Sequence, residues 1–348
     1  MRTGKYENED GREMSSSRIT MAEGGGGGAA ARWIGESILP RFASVDGPLR
    51  SLADASTLAG GMLFSTDSFV VSPREFPGGN IGKLAVCGTV NDLAVAGGIP
   101  EYLSLALIIE EGFDRAELDR ILDAVKATAD LCGVTVATGD TKVVGRGNCD
   151  GLFINTAGIG RARSGLRLGR ERIRPGDGIL VSGAVGDHAL TITALRHGVG
   201  GEGLASDCAP VLPQVEKAAE LGGESIRFMR DPTRGGVGAV LAEIFAGSGL
   251  AAEVEEEALP VRPAVRTLCG MFGIDPLFAA CEGRVVCVAA RDVCDELLAA
   301  WRELPGGEQA CRIGEVTGTG DGTVVLRGRF GGRHRLVVPD GELLPRIC

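Results

Sequence analysis

The sequence predicts an α+β protein of two domains, and three observations carry that reading. The chain has 348 residues, more than one domain of ~150 residues needs. Strand-like and helical segments alternate, yet several strands arrive as neighbours with no helix between them, which favours mixed or antiparallel sheets over a doubly wound parallel sheet. The pattern changes across 161–178, where Arg174-Pro175-Gly176-Asp177 opens a new strand, so the domain boundary is placed at about residue 165.

The elements follow in order. Residues 1–19 are polar and expected to be disordered. The first domain is drawn over 20–165. A run of five glycines at 24–28 leads into 29–42, where Trp33, Ile34, Ile38 and Leu39 keep helical spacing. A glycine-rich loop opening a helix suits phosphate; a flexible linker has the same composition. Strands are expected at 61–64 and 69–71 with Asp67 between them, then a helix over 81–96 and a buried strand over 102–110. Leu118, Ile121, Leu122 and Val125 predict a helix over 114–132, ended by Gly133. A strand at 134–138 delivers Gly139-Asp140-Thr141-Lys142, and another covers 152–159. The second domain, 166–327, should hold strands at 178–182, 285–290, near 313–316 and at 323–327, with helices at 187–197, 211–221, 233–247 and 292–304. From 328 the chain is rich in Gly and Arg and reads as a flexible tail that stops at Cys348.

Composition bounds the function. Apolar residues make up 44% and aromatics 4%, so the cores are built of aliphatic side chains; 55 glycines imply many tight turns. The net charge of −10, from 36 basic and 46 acidic residues, argues against nucleic acid or an anionic membrane as the main partner. It does not exclude ATP, because a bound magnesium ion inverts the local field. No apolar stretch approaches the ~18 residues of a membrane span, and the charged opening MRTGKYENED lacks a signal peptide's apolar segment. A cytoplasmic location is expected. Ten scattered cysteines without Cys-x-x-Cys, and only three histidines, make a disulfide framework or a zinc site a poor fit.

Candidate chemistry lies in acidic residues beside small ones: Asp54, Asp67, Asp92, Asp140 and Asp231. Carboxylates at strand and loop ends suit magnesium shared with substrate phosphates; each is equally a turn or cap residue. Lys142 follows Asp140 by two and is placed to neutralise phosphate, unless it is an ordinary surface lysine. Asn91 and Asp92 interrupt an apolar helix and need a buried partner or a ligand. Asp231-Pro232-Thr233-Arg234 precedes an apolar helix; Asp as N-cap with Pro at the first position explains it, and the same geometry presents N–H groups to an anion. Glu282, before a strand, is a candidate general base or a turn glutamate. The stretch GGNIGKL at 78–84 is one residue short of a P-loop and has Leu where Ser or Thr would hold magnesium. Finally, Cys348 puts a thiol on the last residue of a tail, free to enter one site, be modified and move to another; a frayed, inert terminus is the alternative.

These residues resemble a known family. FSTDSFVV (64–71), FPGGNIGKL (76–84), GTVNDLA (88–94), GDTKV (139–143), SGAVGDH (182–188), SDCAP (206–210), RDPTRGGV (230–237) and the terminal PRIC are similar, in order from about residue 20 to the end, to the HypE family of hydrogenase-maturation carbamoyl dehydratases, within the PurM-like (aminoimidazole-ribonucleotide synthetase) superfamily. The internal motifs point to the superfamily, and PRIC singles out HypE. The resemblance implies a homodimer whose N-terminal domains form a β-barrel across the interface, with ATP in a cleft beside it. It implies a carbamoyl group placed on Cys348 by a HypF-type carbamoyltransferase, ATP-dependent dehydration to a thiocyanate, and transfer of cyanide to a HypC–HypD complex for the iron of [NiFe] hydrogenase. By the same resemblance Asp67, Asp92 and Asp140, with Asp54 as a further candidate, would hold Mg2+; Asn91, Gly139, Thr141, Asp231 and Arg234 would line the nucleotide; Lys142 would contact phosphates or the carboxamide; and Glu282 would remove protons. One departure stands out. The family's loop usually reads His-Gly-Ser/Ala-Gly-Gly, whereas here Glu23 precedes the glycines. Rival readings are another ATP-using enzyme of the superfamily acting on a diffusible substrate, and a non-catalytic carrier whose terminal Cys only passes a group on.

Overall fold

The computed structural model describes residues 18–42, 47, 49, 53–200, 203–341, 344 and 346–348. The chain enters through a 3-10 turn at Met21–Gly24 and then α1 (Gly28–Trp33), a π-helical turn at Ile34–Ile38, and α2 (Leu39–Phe42). The first sheet follows. Its strands are β1 (Ser56–Thr57), β2 (Met62–Phe69), β5 (Gly98–Glu110), β6 (Thr135–Val144) and β7 (Leu152–Ala162), in the order β1-β2-β7-β5-β6. A small ribbon, β3 (Glu75–Phe76) with β4 (Gly79–Asn80), leads into α3 (Ile81–Val95), and α4 (Arg115–Cys132) joins β5 to β6.

Each element has a local cause. Asn80 caps α3 by accepting from the N–H groups of Gly82 and Lys83. Asp114 caps α4 in the same way, and Gly133, in the left-handed region at φ 67°, ends it. α3 is apolar all round and buried along nearly its whole length, as befits a helix enclosed between the sheet, α4 and the second domain. The two strands expected at 61–64 and 69–71 are one strand, β2, which runs through Asp67. Its alternation puts Leu63, Ser65 and Phe69 inward. The strand expected to stop at 138 continues to Val144. Gly139 allows this, because a Cβ there would meet the Leu105 carbonyl oxygen at 2.3 Å on the neighbouring strand.

The second sheet joins β8 (Gly178–Val181), β9 (Ile226–Arg230), β10 (Leu250–Glu255), β11 (Val286–Ala289), β12 (Cys311–Thr319), β13 (Val324–Arg327) and β14 (Arg333–Arg335), in the order β14-β13-β10-β12-β8-β11-β9. Its helices are α5 (Asp187–Arg196), α6 (Leu212–Leu221), α7 (Gly236–Phe245), α8 (Pro263–Phe272) and α9 (Arg291–Arg302). Antiparallel and parallel pairings mix in both sheets, which makes the protein α+β. α7 starts later than the expected 233 because Gly235 and Gly236 take φ of 83° and 60°, outside the helical region. Asp231 therefore caps nothing.

The segment expected as a flexible tail from 328 is tied to the fold at several points. β14 pairs with β13. Beyond it, the Pro339 carbonyl accepts the Gly28 N–H, and Asp340 pairs with Arg32. The terminal residues lie against 70–72, and Ile347 is 1% exposed. Residues 1–17 fall outside the described residues, so the expectation of disorder there has no structural counterpart.

Candidate active site

Three carboxylates meet where the two domains touch. Asp54 precedes β1, Asp92 lies on α3, and Asp231 follows β9; one oxygen from each lies within 4.8 Å of the others. Ser65 on β2 donates its hydroxyl proton to Asp92 at 2.6 Å, and Arg230 holds Asp54 at 2.9 Å. Burial drives the Asp92 carboxyl well above the usual range, and the charges of Asp231, Asp54 and Asp67 add to it. Asp231 is raised in the same way, by burial and then by Asp54. Asp54 and Asp67 are also raised by burial, with Arg230 opposing the shift at Asp54 and the Ser68 N–H and Arg234 opposing it at Asp67. Anions packed against one another without enough cationic charge are a site for a hard divalent ion with oxygen ligands, so the donor set fits Mg2+.

Beside this group lies the end of the chain. Cys348 is partly buried, and an oxygen of its terminal carboxylate accepts the Val70 N–H at 3.0 Å. Burial, reinforced by the neighbouring Glu282 carboxylate, pushes its thiol up, while Arg234 pulls the other way. Arg234 is itself raised by Cys348, then by Asp67 and Glu282, so the thiol and both carboxylates share one guanidinium's surroundings. Arg234 also donates to the Gly24 carbonyl at 3.0 Å, which brings the glycine run to the same place.

Glu282 is 2% exposed, and its Oε1 has no hydrogen-bond partner. Burial raises it well above the usual range, followed by Cys208, Asp231, Asp207 and Asp67. A buried, unspent carboxylate near a thiol is the arrangement expected of a proton acceptor. Its backbone is fixed: the Glu282 N–H donates to Asp207 Oδ1 at 3.2 Å, and a Cβ on Gly283 would strike the Asp207 carbonyl at 2.0 Å. Glu23, by contrast, is exposed and spends its carboxylate on Thr20. It is no substitute for the family's loop histidine.

Not every expected residue joins the site. Asn91 is turned into the domain contact: it donates to the Ala209 carbonyl at 3.1 Å and accepts the Val211 N–H at 2.9 Å. It is an interdomain staple rather than a nucleotide ligand. Gly139 is required by strand packing, and Thr141 lies next to it on the exposed β6. Asp140 and Lys142 pair with each other at 2.7 Å on that strand. The registers put Asp140 in one row with Ala106, Asn155 and Ser68, and Asp67 in the next row with Thr156, Leu105 and Gly139. Neighbouring rows point to opposite faces, and β6 lies three strand spacings from β2, about 14 Å. Within one chain, then, Asp140 and Lys142 stand apart from Asp54, Asp67, Asp92 and Asp231. The sequence reading missed the roles of Ser65, Asp207 and Ser206; polar residues inside otherwise apolar motifs were the available signal.

Comparison with known proteins fits this geometry. Residues 53–162 match the family model described as AIR synthase related protein, N-terminal domain, and 174–327 match its C-terminal domain. The chain is 43% identical over 340 residues to the carbamoyl dehydratase HypE of Rhizobium leguminosarum bv. viciae, covering 97% of each. A crystal structure of the hydrogenase maturation protein HypE in complex with ATP superposes with a TM-score of 0.80 at 43% identity, covering 95% of this chain and 100% of that one. A HypE–HypF complex gives 0.83 at 40% identity, covering 88% and 99%. With this extent of identity, and with the terminal cysteine seated beside an acidic cluster, the chain belongs to the HypE carbamoyl dehydratase family.

Proposed function

We propose that the protein is an ATP-dependent carbamoyl dehydratase that converts an S-carboxamide on Cys348 into an S-thiocyanate and supplies cyanide for the iron of [NiFe] hydrogenase. The observation that carries this reading is the position of Cys348, held among Arg234, Glu282 and the acidic cluster of its own chain. An amide oxygen leaves poorly. Attack of that oxygen on the γ-phosphorus of ATP releases ADP and one N–H proton and gives an O-phosphorylated imidate. Loss of the second N–H proton and of phosphate then forms the C≡N bond. The cysteine adduct thereby loses the elements of one water, its oxygen to phosphate and its two N–H protons to the base and solvent.

Asp54, Asp92 and Asp231, with Asp67 beside them, would hold Mg2+, which supplies charge neutralisation for the transferred phosphoryl group. Arg234 binds anionic oxygen as the phosphate builds. Glu282, buried and with Oε1 free of a hydrogen-bond partner, takes protons from nitrogen. The docked tail and the glycine run exclude water from the intermediate.

Lys142 and Asp140 act on a neighbouring site. β6 is an edge strand exposed from 135 to 143, carrying Val136 and Val143, and Tyr102 and Ile108 are exposed on the adjoining β5. A second copy that covers this surface in a homodimer brings each β6 to the other chain's cleft, and barrel closure removes the open edge. A HypF-type carbamoyltransferase loads Cys348, and a HypC–HypD complex takes the cyano group. Among the described residues no helix is long and apolar enough to cross a membrane.

Mass spectrometry of the C-terminal peptide tests the reaction. After carbamoylation of Cys348, addition of ATP and magnesium should remove one water from the adduct. A carbamoyl adduct that persists under those conditions overturns the proposal. Turnover of a small carbamoyl substrate that survives deletion of Cys348 favours the rival enzyme.

A further inference from the structure

We propose that His188 is a positioning residue, a latch that recognises the last three residues of the chain and sets how long Cys348 stays in the site. The tail docks like a short added strand. The Val70 N–H donates to a Cys348 carboxylate oxygen at 3.0 Å and the Ser72 N–H to the Arg346 carbonyl at 3.4 Å, which is antiparallel spacing. The Arg346 side chain donates to the Val70 carbonyl at 3.0 Å and pairs with Asp150. Ile347 faces the other way into the core, so its carbonyl has no partner in that short ladder. His188 supplies one: Nε2 lies 2.7 Å from the Ile347 oxygen.

The tautomer follows from the partners. A carbonyl can only accept, so Nε2 carries the proton. Nδ1 of the neutral ring then accepts from the Ser206 hydroxyl at 2.7 Å, and Ser206 Oγ in turn accepts the Cys208 N–H at 3.0 Å. Burial keeps the ring neutral by lowering its affinity for protons. Asp207 joins the latch to the chemistry. Its Oδ1 accepts the N–H of His188 at 3.1 Å and that of Glu282 at 3.2 Å. His188 is completely buried with the tail in place. When the tail leaves, its Nε2–H loses this acceptor, and that loss favours docking. Arg346 makes the need for a latch plain: it is the only described non-glycine residue with positive φ, at 49°, a conformation that disfavours the docked turn unless contacts hold it.

The functional consequence rests on the reaction proposed above, but the latch itself is testable without it. The experiment measures iodoacetamide alkylation of Cys348 in the full-length protein, read on the C-terminal peptide, together with ATP binding and single-turnover dehydration. His188→Leu removes one buried hydrogen bond, so alkylation should rise about five- to tenfold and dehydration should fall correspondingly, with ATP affinity unchanged. His188→Gln, which keeps a donor near the Nε2 position, should recover part of both. Ser206→Ala, which spares the imidazole but frees its tautomer, should raise alkylation about two- to threefold and serves as the deciding variant if His188→Leu does not fold. Unchanged alkylation in the folded variants overturns the latch. Faster alkylation in a protein that never dehydrates its adduct upholds the latch and overturns the reaction instead.

Discussion

The two sheets are finished to different degrees. In the second domain β8 and β11 are buried at every residue, covered by α6, α7 and α9 and by neighbouring strands. In the first domain the inner face rests on α3, but β6 is exposed along 135–143 and carries Asp140 and Lys142 outward. The covered sheet behaves as a core; the open one keeps an exposed edge strand. The difference teaches that one chain gathers its thiol, a buried carboxylate and the acidic cluster in one place while Asp140 and Lys142 stand apart from them on the open strand.

Charge placed on each sheet should separate them most sharply. Val286→Asp on β11 should abolish the fold, since an unpaired buried carboxylate costs several kcal/mol. The double change Val136→Asp with Val143→Asp should leave a folded monomer by circular dichroism and light scattering. A variant that stays dimeric would break the comparison. Next in size is a mixing test. Lys142→Ala and Cys348→Ser should each be inactive, yet equal amounts allowed to exchange should regain about a quarter of wild-type dehydration, because half of the dimers then pair one intact thiol with one intact lysine. No recovery would place Lys142 in the cleft of its own chain.

The smallest effect tests the cost of the covered domain. Asp187 is 2% exposed, and burial, with Asp207 adding to it, raises its carboxyl to about 6. The folded state then keeps a proton that the unfolded chain has lost, so this group's contribution to stability falls as pH rises from about 4 to about 6 and is flat above. The full span is at most about 3 kcal/mol. Urea unfolding of wild type and Asp187→Asn at pH 4.5 and 7.5 should show a gap between them that changes by at most about 2 kcal/mol, the part of the span lying above pH 4.5; a constant gap would remove the electrostatic account.

Much of this was legible in the residues. α4 declared itself through its period and the Gly133 that ends it, and the terminal thiol marked the chemistry. Other features depend on contacts no local pattern encodes. Asp231 looked like a helix cap because Asp-Pro usually starts one; two glycines with positive φ delay the helix and leave the carboxylate to the acidic cluster. Asn91 looked like a ligand because it interrupts an apolar helix, but its partners lie 118 and 120 residues away. β9, β10 and α8 were missed. β9, Ile226–Arg230, carries two arginines in five residues, and α8 starts on a proline. His188 gave only a weak signal, a lone imidazole among small residues whose acceptor is 159 positions on.

The last rung of the tail's pairing is an oxygen of the Cys348 carboxylate, bonded to Val70. That bond fixes the register of the tail and, with it, the place of the sulfur. A residue added after Cys348 would turn that carboxylate into an amide and remove its charge from beside the thiol. A purification tag fused there should abolish turnover, whereas the same tag on the opposite terminus should be harmless.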